Sequence, residues 1–162
     1  MDERERRNER GETPLQQADR NLMELLQELR VVQTGVQILF AFLLSLAFTP
    51  RFPELDDTQR NIYLIVLGCT VVSTAALIGP VALHRALFRR GAKRRIVNAS
   101  HRLASVGLAF LALSLTGAVE LIFDVVLGRG AGVAAAVCGL LLFATLWLLA
   151  PWGMGRRIDR DE

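Results

Sequence analysis

Four stretches of the chain, residues 31–50, 61–83, 103–128 and 130–155, are almost unbroken runs of apolar and small side chains. Each is long enough, at about 1.5 Å of rise per residue, for a helix to cross a hydrocarbon layer of about 30 Å. Runs of this length exclude the alternating segments of about ten residues that build membrane barrels, and lipid otherwise tolerates only helices. The pattern predicts four membrane helices with spans at about 31–50, 61–83, 103–128 and 131–152. The connections are short, so consecutive spans should be antiparallel neighbours. The expected fold is all-α, a polytopic up-down bundle of four transmembrane helices forming one membrane domain over residues 15–155.

A second periodicity precedes the first span. Leu15, Ala18, Leu22, Leu25, Leu29 and Val32 recur at alternating steps of three and four. They form one apolar stripe on a helix that continues into the span. A helix lying on anionic lipid carries basic residues on its polar face. This one sets Asp19, Glu24 and Glu28 against Arg20 and Arg30, which favours contact with protein, either a second copy or the chain's own loop. Residues 1–14 have no apolar anchor and are expected to be a disordered tail, and 156–162 a second short tail.

Composition alters this picture only once the charges are located. The 162 residues are 22% charged, yet mean hydropathy is +0.34. Of 19 basic and 16 acidic side chains, only Glu120 and Asp124 fall within the four stretches. Such segregation excludes a soluble globule, a disordered chain and a disulfide scaffold. Lysine and arginine number six in residues 1–30, two in 51–60, seven in 84–102, one at Arg129 and three in 156–162. That alternation follows the positive-inside rule. It places the chain in the cytoplasmic membrane as a multi-pass protein, with both termini and the leading amphipathic helix in the cytoplasm. The central loop, with Arg89, Arg90, Lys93, Arg94 and Arg95 and no acid, should meet anionic lipid headgroups rather than nucleic acid.

Ionisable groups within a span are the natural suspects for function. Glu120 and Asp124 stand four apart on one helix face and form a candidate ion or proton site. From Leu103 they lie about 25 and about 31 Å along the helix, near the outer surface, where Arg129, Arg60 or Arg51 can pair with them. Anchoring at the interface is therefore the competing role. At the inner level, Arg30, Gln33 and Gln37 of span one face the level of His84 and Arg85, beyond Pro80 of span two. They make a candidate polar clamp between the two helices. Between the layers lie only small hydroxyls, which argues against a side-chain proton relay within one copy. No phosphate-binding loop, zinc-protease helix or nucleophile elbow is present in the sequence, so neither enzymatic activity nor a cofactor or metal is expected.

The run from Glu28 through Leu44, the segment Arg51 to Asp57, Gln59, Arg60 and Tyr63, and Pro80 with His84, Arg85 and Phe88 together carry a resemblance. The chain resembles an uncharacterised actinobacterial family of small four-span membrane proteins, over about residues 20–128. Some chains of that type bear an automatic sodium:proton antiporter label. The resemblance implies a four-span fold and transfers no catalytic residue. The leading expectation is a non-enzymatic membrane component, acting as a homo-oligomer or with another membrane protein. The alternatives are a small cation or proton channel or exchanger using Glu120 and Asp124, and an anionic-lipid-binding module working through loop 85–102.

Overall fold

The computed structural model of the chain describes residues 13–87 and 93–149. Among the described residues all regular structure is helical: α1 (Pro14–Leu46), a 3-10 turn (Phe52–Glu54), α2 (Asp57–Leu87), α3 (Lys93–Leu127) and α4 (Arg129–Ala144), the last continuing into a π turn at Thr145–Leu149. Within them, Met23–Leu46, Asp57–Leu83, Val97–Leu127 and Arg129–Trp147 are each long and apolar enough to cross a membrane. The chain is thus an all-α polytopic membrane protein. Of the tail expected at residues 1–14, Thr13 and Pro14 stand at the start of α1, while residues 1–12, the tail expected at 156–162 and the last residues of the expected fourth span lie outside the described residues.

The helix ends follow from local chemistry. Thr13 Oγ1 accepts the Gln16 N–H at 3.3 Å while Gln16 Oε1 accepts the Thr13 N–H at 2.8 Å, a reciprocal box that satisfies two donors at the start of α1. Pro14 fits there because its missing N–H would have had no partner in the first turn. Between α3 and α4 only Gly128 intervenes, with φ at 93°. A side chain would be strained in that conformation. It allows the Gly128 N–H to close on the Asp124 carbonyl at 2.9 Å while α4 restarts at once.

The chain forms two compact units, Met1–Ala41 with Val71–Ala109, and Phe42–Thr70 with Phe110–Glu162. In the first, Leu25, Leu29 and Val36 are buried, so the described part of the stripe, from Leu25 onward, turns these residues toward the chain itself. The side chains of Leu15, Ala18 and Leu22 lie outside the described residues. Here α2 and α3 pack almost backbone to backbone. A Cβ on Gly107 would stand 2.6 Å from Leu77 Cγ, and one on Gly79 would stand 2.9 Å from Leu103 Cδ1. Ser73 Oγ donates to the Gly107 carbonyl at 2.8 Å. The pairing number rises on α2 as it falls on α3, so these helices are antiparallel.

In the second unit the same device recurs. A Cβ on Gly117 would meet Val66 Cγ2 at 2.5 Å, and one on Gly139 would meet Thr116 Oγ1 at 3.2 Å. Tyr63 donates its hydroxyl to the Leu43 carbonyl at 2.8 Å and packs edge-on against Phe52, with ring centroids 4.9 Å apart, which ties the end of α1 to the start of α2. Burial is uneven: 33% of the membrane window of α2 is buried within the chain, against 6% for α4.

Gly107→Ala should lower the thermal midpoint of the purified protein in detergent. Overpacking against Leu77 costs about 1–3 kcal/mol and outweighs a helix-propensity gain of about 1 kcal/mol. Gly35→Ala, with nothing within 4 Å of the added Cβ, should leave the midpoint unchanged or raise it.

Candidate functional site

The polar cluster of the second unit grows from a helix start. Asp56 Oδ1 accepts the Gln59 N–H at 2.8 Å, and Gln59 Oε1 accepts the Asp56 N–H at 3.1 Å. This is the box that opens α1, repeated at the start of α2. It uses the Gln59 carbonyl oxygen and leaves its amide nitrogen available. Gln59 Nε2 donates to Asp124 Oδ1 at 3.3 Å. Arg129, the first residue of α4, closes the circuit, with Nη2 3.0 Å from Asp56 Oδ2 and Nη1 3.2 Å from Asp124 Oδ2. Four side chains from the starts of α2 and α4 and the last turn of α3 thereby form one ring.

Asp124 is the buried member, its side chain 4% exposed against 44% for Arg129. Its Oδ2 makes no aligned hydrogen bond, so the attraction to Arg129 there is one of opposed charges rather than a directed bond. Burial of a carboxylate near a helix C-terminus is unfavourable. Two features offset it. The first turns of α2 and α4 carry partial positive charge, and Gly132 brings α4 onto α3 so closely that a Cβ there would stand 2.8 Å from Asp124 Cβ and 3.1 Å from the Glu120 carbonyl.

Glu120 differs from its neighbour. It is half-buried, and no hydrogen bond or ion pair joins it to any described residue. Of the three arginines near the pair, Arg129 reaches it, whereas Arg51 lies 3.8 Å from Glu54 and Arg60 lies 3.9 Å from Asp57. Outside the spans, Asp56 is held below its ordinary pKa of 3.8, first by the Gln59 backbone N–H. Lost hydration opposes that effect, and the Arg129 charge and hydrogen bond reinforce it. Asp56 and Gln59 stand among the residues that carry the family resemblance but not among the candidate site residues read from the sequence. Their signal is an aspartate followed three residues later by a glutamine, ahead of an apolar run.

The other polar group belongs to the first unit. Gln33 Nε2 donates to the Leu77 carbonyl at 2.7 Å, joining α1 to α2 beside Ala76, the residue whose carbonyl Pro80 cannot serve for want of an N–H. Arg30, Gln37 and Arg85 are exposed. His84 belongs to α2, and Lys93, Arg94 and Arg95 open α3, but their side chains lie outside the described residues, as do Arg89 and Arg90 entirely. Along α3 and α4 runs an apolar groove of about 760 Å³, lined by residues that include Thr116, Val119, Ala131, Ala135 and Gly139. Among the described residues no three His, Cys, Asp or Glu side chains converge as metal ligands would.

A family model described as a family of unknown function, DUF6328, matches residues 11–151. No curated protein and no solved structure matches the chain.

Arg129→Gln should destabilise the protein by about 1–3 kcal/mol, because it leaves the Asp124 carboxylate buried without its counter-charge. Adding Asp124→Asn should recover part of that loss in a double-mutant cycle of thermal unfolding. The pKa of Asp56 is lowered in the folded state, so its contribution is present above the ordinary carboxylate value and lost as pH falls through the folded one. Asp56→Asn should therefore flatten the acid side of the stability profile and lower its neutral plateau.

Proposed function

We propose that this chain, which belongs to the DUF6328 family, is a non-enzymatic membrane component that acts by assembling with other membrane-embedded chains. The observation that carries this reading is the commitment of Asp124. The carboxylate best placed to bind an ion is already neutralised by Arg129 and hydrogen-bonded by Gln59. Gln33, Ser73 and Tyr63 are likewise engaged with backbone carbonyls of neighbouring helices. With these groups used in holding the fold, what remains for interaction is surface, above all on α4 and on the outward face of α1. By the positive-inside rule, the loop charges favour the cytoplasmic membrane with both termini inside. There the basic segment 85–102 would rest against anionic headgroups.

A second reading rests on Glu120. Half-buried and without a partner among the described residues, it retains the freedom that Asp124 has lost, and it would serve a small cation or proton port. Flux measurements separate the two. Full-length protein in liposomes carrying a proton or sodium gradient should pass neither ion faster than empty vesicles. Sustained flux that Glu120→Gln abolishes would overturn the assembly reading in favour of transport.

A further inference from the structure

The two faces of α1 face different surroundings. Leu25, Leu29, Val36 and Leu43 are buried and mark the face turned toward the chain. At about 100° per residue, Gln27, Thr34 and Ala41 lie toward the opposite side, Arg30 and Gln37 lie on the flank beside them, with Gln37 about 100° round from Val36, and all five are exposed. Their neighbours Val31 and Ile38, 76% and 67% exposed, suit contact with lipid chains. Gln37 does not. It lies about 10 Å along the helix from Arg30 and about 14 Å from Leu46, deeper than the inner level expected from the sequence, near the middle of the apolar span Met23–Leu46 and too deep for its short side chain to reach either interface.

A primary amide offers two donors and a carbonyl acceptor, and hydrocarbon satisfies none of them. Gln33 has the Leu77 carbonyl, and Thr34 donates to the Arg30 carbonyl at 3.1 Å. Gln37 has no hydrogen-bond partner among the described residues. We infer that Gln37 is the centre of a contact with a second copy of this chain, in which two α1 helices run parallel and the two Gln37 amides bond to each other.

The choice of a second copy follows from symmetry and from the chemistry of the amide. Copies inserted in the same orientation are related by rotation about the membrane normal, so their α1 helices are parallel and position 37 meets position 37. The amide is self-complementary, each Nε2 donating to the other Oε1. An unrelated helix would need a matching polar group at that depth, whereas a copy supplies one by construction. Thr34 and Ala41, on the turns before and after, are small enough for the backbones to approach. Arg30 lies toward the water, where its charge is solvated and the helices diverge.

This inference rests on the assembly reading and names its partner. Two measurements in bilayers test it, with Cys69 and Cys138 replaced by alanine. Ala41→Cys should give a disulfide-linked dimer on oxidation, and Leu140→Cys on exposed α4 should not. With the native alanine at 41, Gln37→Leu should raise the dimer dissociation constant about tenfold without loss of helix content, and Gln37→Asn should raise it less. A dimer linked through Leu140→Cys but not Ala41→Cys, or dimerisation indifferent to Gln37→Leu, would overturn the α1 contact. Neither result would touch the assembly reading, which falls only to ion flux through the chain.

Discussion

Hydrocarbon offers no hydrogen bonds, and that constraint shapes many of the polar positions described in the spans, although Ser100 Oγ and Thr116 Oγ1 are buried without a hydrogen-bond partner among the described residues. The side chains that meet it across helices do so largely through backbone carbonyls, which can accept a second bond while keeping the one in their own helix. Gln33 reaches the Leu77 carbonyl, Tyr63 the Leu43 carbonyl and Ser73 the Gly107 carbonyl. At Gly107 the bond and the packing are one event. The residue that lacks a Cβ lets Leu77 approach, and that approach brings its carbonyl within reach of Ser73. Small residues at the contacts are thus a condition of polar satisfaction as well as of close packing.

Asp124 meets the same constraint with a charge. Its environment is assembled from chain ends: the capping box of α2 supplies Gln59, the first residue of α4 supplies Arg129, and Gly132 brings that first turn into place. The ring is half open to water on the arginine side, so the pair keeps some hydration of Arg129 while shielding the carboxylate. Glu120, one turn further into the span, gains nothing from these helix starts. That difference in surroundings, not in residue type, separates a structural acid from an uncommitted one.

Much of the fold was legible in the sequence because the bilayer imposes it. Segregation of charge marks four spans, and short connections order them. The leading stripe was legible too, and extending its step from Leu29 and Val32 to Val36 and Leu43 reaches the residues that are buried. The site was legible only in part. Depth arithmetic put Asp124 near a helix end with Arg129 in range, but the involvement of Asp56 and Gln59 needed the capping box to be recognised as a source of a free amide. Gln33 and Gln37 stand four apart and look equivalent in sequence. Helical phase against a neighbour sends one to a carbonyl and the other outward, and no local pattern encodes that phase.

The central claim is that the two glutamine amides of α1 are paired, Gln33 within a copy and Gln37 between copies, rather than wet. Solid-state NMR of the glutamine side-chain amides in bilayers, using mixed copies labelled separately with nitrogen-15 and carbon-13, tests it most directly. The account expects Gln33 to be protected from water within one copy. For Gln37 it expects transfer between the amide nitrogen of one copy and the side-chain carbonyl of the other. Rapid exchange of the Gln37 amide with water, and no transfer between copies, would contradict it and favour a water-filled path.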